Sequence, residues 1–223
     1  RDKMAWAQKV VDDLNNSTDK YVVYRTSRPI TDIKHMLTTS VELYGDNVAF
    51  MQRFEKNEPF KSITYNEAFD TVNSLGTALV NRGLKGKRIA VIGENCYQWA
   101  TSYLAVICGT GVVVPLDKEL GAGELKQLCI EAEVSAVMFT EKYAETFKEM
   151  KGSGDTSIEL LIKLNGHKEF EDMLTWSGLI AEGKSLMDGG DRSFVDAEIA
   201  YDEMSELLFT SGTTGIAKGV MLS

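Results

Sequence analysis

The sequence has few cysteines and histidines, and this scarcity excludes some kinds of site. The three cysteines, Cys96, Cys108 and Cys129, form no CxxC pair, and the two histidines, His35 and His167, lie far apart in the chain. A structural zinc site needs four such ligands at close spacing, so we expect no metal bound by these residues. The pattern favours reduced thiols in a cytoplasmic protein, with Cys108 and Cys129 as small core residues.

Basic residues are also in the minority, with 24 Lys and Arg against 33 Asp and Glu and a net charge of −9. A nucleic-acid-binding protein needs a basic surface to neutralise phosphates, so we expect no nucleic-acid partner.

Long apolar runs are missing as well. The longest, residues 103–116, is interrupted by glycines and a proline and is shorter than the roughly 20 residues that cross a bilayer. No signal peptide is visible at the amino end, where Arg1 leads into a polar segment. We expect a cytoplasmic protein without a transmembrane segment, whose association with a membrane, if it occurs, is peripheral.

What is present is an apolar content of 43% in 223 residues, enough for one large α/β domain or two small ones. Apolar spacing predicts a helix over residues 3–14 and a second one between a Thr31 cap and Gly45. Two extended runs between residues 48 and 65 predict a hairpin, and Thr64 with Glu67 forms a capping-box signature. Trp6, Trp99 and Trp176 lie in predicted helices and are expected to be core or interface anchors.

From residue 66 onward, predicted helices and strands alternate. The predicted strands are residues 88–93, 112–116, 136–140, 158–164 and 207–209. The predicted helices are residues 66–83, one capped by Asn95, 122–132, 142–150 and 169–182, and residues 183–206 are predicted to form a connection. This order implies right-handed crossovers, and hence an α/β fold with a mainly parallel sheet flanked by helices.

We divide the chain into three parts on this basis. Residues 1–65 hold the amino-terminal helices and hairpin, residues 66–182 the βαβ parallel-sheet subdomain, and residues 183–223 the connection, the last strand and a loop.

That loop belongs to the stretch LFTSGTTGIAKGV, residues 208–220, which is rich in Gly, Ser, Thr and Lys and follows an apolar strand. Small residues let backbone amides turn toward one anion, and hydroxyls and a lysine add further donors. The end of a strand in a parallel sheet is also where α/β folds bind ligands. The stretch therefore predicts a phosphate-binding loop rather than a surface loop made of turn-forming residues.

Better-known motifs do not fit this stretch. The Walker A pattern requires Gly-Lys followed by Ser or Thr, whereas Ala217 precedes Lys218 and Gly219 follows it. The GxGxxG fingerprint and the GxSxG elbow of serine hydrolases are absent from the sequence.

Residues 210–219, TSGTTGIAKG, resemble the signature loop of the adenylate-forming superfamily, which includes acyl-CoA synthetases, adenylation domains and luciferases. The family usually has Pro where Ala217 stands. ITYNE at residues 63–67, KRIAVIGEN at 87–95 and GTGVVVPLD at 109–117 resemble further family segments, so the likeness covers about residues 30–223. The sequence of residues 94–99, ENCYQW, most resembles the corresponding segment of long-chain fatty acyl-CoA synthetases.

The resemblance implies a two-step ligase reaction. A carboxylate, expected to be that of a fatty acid, attacks the α-phosphate of Mg-ATP to give an acyl-adenylate and pyrophosphate, and coenzyme A then displaces AMP. It implies catalytic roles for Lys218 and Thr213. It also implies that the nucleotide phosphates are bound by Thr210, Ser211, Gly212, Thr213, Thr214, Gly215 and Lys218.

The resemblance also implies what this sequence leaves out. The adenine-binding region, the Thr-Glu pair near Mg²⁺, the ribose-binding Asp and the final catalytic Lys of the family all follow the signature loop. We therefore expect the chain to be an amino-terminal fragment, inactive by itself, in which the loop ends in solvent and newly exposed apolar surface favours a homodimer.

Two alternatives stay open from the sequence. One is an adenylation domain that loads an amino or aryl acid onto a carrier protein, and the other is a non-catalytic nucleotide-binding module with a flavodoxin-like sheet.

Overall fold

The computed structural model describes residues 3–16, 28–200, 202–210 and 218–223. Its helices are α1 Lys3–Asn15, α2 Ile33–Tyr44, α3 Tyr65–Leu79, α4 Tyr97–Ala105, α5 Ala122–Glu131, α6 Ala144–Ser153 and α7 Trp176–Asp188. Its strands are β1 Val48–Gln52, β2 Lys61–Thr64, β3 Arg88–Ile92, β4 Val112–Pro115, β5 Ala136–Phe139, β6 Leu160–Lys163, β7 Leu174–Thr175, β8 Glu206–Thr210 and β9 Lys218–Leu222.

The main sheet has the order β7-β6-β5-β3-β4-β8-β9. The strands from β7 to β8 all pair in parallel, and β9 pairs with β8 in the antiparallel sense. Strands β1 and β2 form the separate antiparallel hairpin expected between residues 48 and 65. The prediction of a mainly parallel α/β sheet is therefore confirmed.

Helices cover both faces of this sheet. On one face α3, α4 and α7 pack over Ile89 and Val91, and on the other α5 and α6 pack over Ala90 and Ile92. These four residues of β3 are fully buried, because a strand between two helical layers has no solvent-facing side. This explains why β3 reads in the sequence as one unbroken apolar run.

The capping box at the start of α3 is formed as predicted. The Thr64 hydroxyl accepts the Glu67 amide at 3.2 Å, and the Glu67 carboxylate accepts the Thr64 amide at 2.7 Å. At the other end of α3, Gly83 has a φ of 80°, the left-handed conformation expected of a helix-ending glycine.

Two predicted helix caps are wrong by one residue. Helix α2 is capped by Asp32, whose carboxylate accepts the His35 amide at 2.8 Å, rather than by Thr31. Helix α4 begins after Cys96 rather than Asn95 and has no side-chain cap of its own. Instead the side chain of Gln52, on β1, accepts the first helical amide of α4 at Tyr97. A cap that comes from a distant strand leaves no local signal in the sequence.

The region predicted as a helix over residues 169–182 is also different. The two-residue strand β7 pairs with β6, and α7 begins only at Trp176, where Thr175 accepts the Gly178 amide at 3.1 Å. Helix α7 then continues to Asp188, so the predicted loop over residues 183–206 is wrong over its first six residues. Thr175 is a good N-cap, and its position explains the later start.

The connection between α7 and β8 is fixed to the rest of the fold. Phe194 is 1% exposed and lies in the core beside α3. Lys34 Nζ donates to the carbonyl oxygens of Phe194, Val195 and Ala197 at 3.0, 2.9 and 2.6 Å. These contacts determine where the chain enters β8.

Tryptophan burial follows the expectation only in part. Trp99 and Trp176 are half-buried and pack against the core, whereas Trp6 is 56% exposed and α1 buries Ala7 and Val11 instead. Across the described ranges, no helix is both long and apolar enough to cross a membrane.

Candidate functional site

The predicted phosphate-binding loop connects β8 to β9. Thr210 is the last residue of β8 and Lys218 the first of β9, and the two pair directly across the hairpin. The Thr210 hydroxyl donates to the Lys218 carbonyl oxygen at 3.5 Å. The structure thus brings together the first and last predicted site residues, Thr210 and Lys218. The predicted site residues between them, Ser211, Gly212, Thr213, Thr214 and Gly215, lie outside the described residues.

The hairpin places this pair at a defined edge of the sheet. Strand β8 runs parallel to β4, and therefore also to β3, β5 and β6. Thr210 consequently lies at the carboxyl edge, where open α/β sheets bind ligands.

Strand β9 was missed in the sequence, which was expected to end directly after the loop. Residues 218–222 instead pair with all five residues of β8. The signal was present: Val220, Met221 and Leu222 follow a Gly- and Thr-rich stretch, and two apolar runs around such a stretch are typical of a hairpin. The sequence therefore does not end at the loop, since a strand returns from it to the sheet. The expectation that the loop ends in solvent concerns residues that lie outside the described ranges, and it stays a prediction.

A second group of polar side chains lies at the same edge, where the strand order reverses. The chain passes from β3 to β4 on one side and then to β5 on the other, so the turns after β3 and β5 diverge. Glu94 follows β3, and Thr140 and Lys142 follow β5. The Thr140 hydroxyl donates to Glu94 Oε2 at 2.8 Å, and Lys142 Nζ lies 2.6 Å from Glu94 Oε1.

Gly93 makes this group possible. Its φ is 147°, and a Cβ at this position would come within 2.4 Å of Thr140 Cγ2. The Lys142 ammonium holds the pKa of Glu94 below its ordinary value, and the Glu94 carboxylate in turn raises the pKa of Lys142. These residues could not be recognised as a group from the sequence, because their proximity depends on the order of the strands.

Further along the same edge, Lys163 is buried at the end of β6 and lines a cavity of about 700 Å³ with Lys168 and Phe170. Lys163 Nζ and the Lys168 amide both donate to Glu141 Oε2, at 3.0 and 2.7 Å. The pKa of Glu141 is lowered, mainly by Lys163. Both lysine ammonium groups at this cavity are paired with carboxylates, that of Lys163 with Glu141 and that of Lys168 with Glu145 Oε1 at 2.6 Å.

Asp117, Cys108 and Cys129, which lie away from the predicted loop in the sequence, have contacts that stabilise the fold. The Asp117 carboxylate accepts the Glu119 amide at 2.9 Å, so this residue stabilises the turn that follows β4. Cys108 and Cys129 are buried free thiols, and burial raises the pKa of each to about 12. Within the described part of the chain, no three His, Cys, Asp or Glu side chains are grouped to hold a metal ion.

Comparison with known proteins decides the family. The model of the family described as "AMP-binding enzyme" matches residues 37–223. The chain belongs to the AMP-binding enzyme family.

Curated relatives of this AMP-binding chain include several acyl-CoA synthetases. Fatty acyl-CoA synthetase A of Dictyostelium discoideum is 30% identical over 75% of this chain and 26% of that protein. Long chain acyl-CoA synthetase 5 of Arabidopsis thaliana is 31% identical over 83% of this chain and 29% of that protein. The chain thus spans about a quarter to a third of the length of these relatives.

Solved structures of low sequence identity share the fold. The anthranilate CoA ligase AuaEII in complex with anthranoyl-AMP matches 85% of this chain and 34% of its own, with a TM-score of 0.71 and 16% identity. The A-PCP didomain of carboxylic acid reductase from Segniliparus rugosus, in complex with AMP, matches 99% of this chain and 34% of its own, with a TM-score of 0.72 and 19% identity. The fold is that of adenylate-forming enzyme domains.

Proposed function

We propose that this chain forms the pyrophosphate-facing wall of the ATP site in an AMP-forming acid–thiol ligase. In the whole enzyme, a carboxylate oxygen attacks the α-phosphorus of ATP and pyrophosphate leaves, which gives an acyl-adenylate. The thiol of coenzyme A then attacks the acyl carbon, and AMP leaves as the thioester forms. The observation that carries this proposal is the Thr210–Lys218 pair at the carboxyl edge of the sheet.

The proposed role of the loop is electrostatic. Negative charge grows on the departing pyrophosphate in the first step, and positioned donors lower the barrier when they are aimed at that charge. We assign the cationic contact to Lys218 and a hydroxyl contact in the transition state to Thr213. Thr210, Ser211, Gly212, Thr214 and Gly215 complete the phosphate-binding segment with hydroxyls and amides.

The donor set fits a polyphosphate better than it fits the other groups that the reaction needs. Thr210 and Lys218 offer a hydroxyl and an exposed ammonium at the mouth of the hairpin. Mg²⁺, the adenine and the ribose need carboxylate and aromatic partners, which we expect from residues that follow position 223 in the whole enzyme. Coenzyme A is proposed as the acceptor because relatives of this chain are named acyl-CoA synthetases.

We propose a fatty acid as the substrate, on the basis of those same names. The alternative acceptor is a carrier protein, and it is favoured by the likeness to an A-PCP didomain. Incubating the whole enzyme, ATP and palmitate with either coenzyme A or a phosphopantetheinylated carrier protein distinguishes the two, because only the true acceptor is converted to a thioester. We place the whole enzyme in the cytoplasm, where free thiols such as those of this chain persist.

The first prediction concerns Lys218. In the whole enzyme, Lys218→Ala should lower the rate of ATP–pyrophosphate exchange by roughly 10²–10³, because one preorganised donor to the developing charge is lost. The matched control is Lys184→Ala, which removes an exposed lysine of α7 and should leave the rate unchanged. An unchanged rate in Lys218→Ala would refute the role proposed for Lys218, whereas no exchange in the unaltered whole protein would favour the non-catalytic nucleotide-binding module.

The second prediction concerns the 223-residue chain alone. It should show no ATP–pyrophosphate exchange above a protein-free blank, because a phosphate contact without a base pocket supplies only part of the binding energy that catalysis requires. Exchange that is dependent on the chain and on a carboxylic acid would contradict this expectation.

A further inference from the structure

Among the residues that the structure describes, the hairpin that carries Thr210 and Lys218 pairs with the rest of the sheet only through β4, over a short ladder. The amides of Val112 and Leu116 donate to the carbonyl oxygens of Lys87 and Val91, beside and within β3, at 2.9 and 3.0 Å. Because the backbone N–H and C=O groups of successive strand residues point to opposite sides, Val113 and Pro115, which alternate with the residues that face β3, face β8. Val113 is one of these, and its amide donates to the Ser205 carbonyl oxygen at 3.0 Å.

The next residue of β4 that faces β8 is Pro115. A proline has no amide hydrogen, so it cannot donate to the carbonyl oxygen of Leu207, which the register places next along β8. The ladder between β4 and β8 accordingly has a single residue pair, Val113 with Glu206. Between β4 and β3, on its other side, four pairs are formed.

The two strands of the hairpin form more residue pairs with each other than β8 forms with β4. Strand β8 pairs with β9 along all five of its residues. Of the hairpin's described residues, Leu207 and Phe209 pack against the core, and both are partly buried. Every residue of β9 is exposed, and Met221 most of all, at 73%.

We infer that Pro115 is a positioning residue, which ends the ladder after Val113 and lets β8 and β9 pivot as one two-stranded arm about residues 205–207. Thr210 and Lys218 then move together, with their pairing across the hairpin preserved. If the proposed function holds, the pivot lets this pair approach the phosphates of ATP and withdraw when pyrophosphate leaves.

Backbone ¹⁵N relaxation dispersion on the 223-residue chain, without nucleotide, tests this inference. We expect exchange on the microsecond-to-millisecond timescale of collective motions, with one common rate for residues of β8 and β9 and none in β3 and β5. Pro115→Ala and Pro115→Val each restore the missing donor. Either should reduce the minor population by a factor of roughly 2 to 10, the effect of one added backbone hydrogen bond.

The matched control is Pro59→Ala, in the turn between β1 and β2, which should leave the exchange in the arm unchanged. Flat dispersion in β8 and β9 of the unaltered chain would overturn the inference even if neither Pro115 variant folds. Exchange confined to one strand would overturn it as well, since that result describes fraying. So would exchange that the two Pro115 variants leave unaltered.

No nucleotide is present in this experiment, so its outcome is independent of the proposed function. A chain whose arm pivots but whose whole enzyme keeps its activity in Lys218→Ala would refute the proposed function alone.

Discussion

At the scale of single residues, the contacts at the carboxyl edge depend on pairs that lie far apart in the sequence. Glu94, Thr140 and Lys142 meet because β3 and β5 are neighbours in the sheet. A single sequence reveals Glu94 and Lys142 only as two charged residues among 57. The loop residues from Thr210 to Lys218, in contrast, form one continuous motif and could be predicted locally.

Glu94 gives a prediction about pH. Its folded-state pKa lies below the ordinary value of 4.5, chiefly because of Lys142. A carboxyl group with a depressed folded-state pKa stabilises the fold above its unfolded-state pKa, and this contribution is lost as the pH falls through the folded-state value. In Glu94→Gln, the free energy of unfolding should therefore fall less between pH 6 and pH 3 than in the unaltered chain.

Urea unfolding at a series of pH values measures this difference. Glu159→Gln, at an exposed position before β6, is the control and should follow the unaltered chain. Parallel pH profiles for Glu94→Gln and the unaltered chain would show that the pair contributes nothing, as is common for exposed ion pairs.

At the scale of helices and strands, periodicity and capping residues predicted most of the parallel-sheet region. Strands β3 and β5 were recognisable because strands buried on both faces are continuously apolar. The errors occurred where tertiary contacts decide the boundary. The side-chain oxygen of Gln52 accepts the first helical amide of α4. Strand β7 is defined only by its pairing with β6, and β9 by its pairing with β8. The division at residues 65 and 182 stays a prediction.

The contact between α3 and α7 gives a prediction about stability. Gly183 lies against the backbone of α3, and a Cβ there would come within 1.7 Å of the Ser74 carbonyl oxygen. Gly183→Ala should therefore destabilise the fold by about 1–3 kcal/mol or more, as overpacking does in a well-packed core. Gly152→Ala is the matched control. Its Cβ would meet no atom within 4 Å in helix α6, so the change should be neutral or stabilising.

Chemical denaturation followed by circular dichroism measures the free energy of unfolding of both variants. A Gly183→Ala variant as stable as Gly152→Ala would mean that the two helices separate at little cost.

At the scale of the whole molecule, β9 leaves the sheet with an exposed edge. Leu208, Val220, Met221 and Leu222 are 37–73% exposed on this hairpin, and an edge strand offers unpaired amides and carbonyls to a second chain. We therefore expect the isolated 223-residue chain to form a dimer through this edge.

Light scattering over a range of concentrations measures this association. Met221→Lys should shift the chain toward the monomer, because an outward charge on an edge strand opposes pairing. Met51→Lys, at a position of β1 that is 65% exposed, is the control. A monomer at every concentration would contradict the expectation.

The burial of the cysteines has a practical consequence for studying the molecule. Cys108 and Cys129 are enclosed in the two halves of the core, on opposite faces of the sheet, and burial disfavours their reactive thiolate forms. Cys96 is partly exposed, at the start of α4 beside the turn that holds Glu94. A thiol-directed fluorophore would thus attach first at this edge, and the unaltered sequence already contains a reporter position a few residues from the point where the strand order reverses.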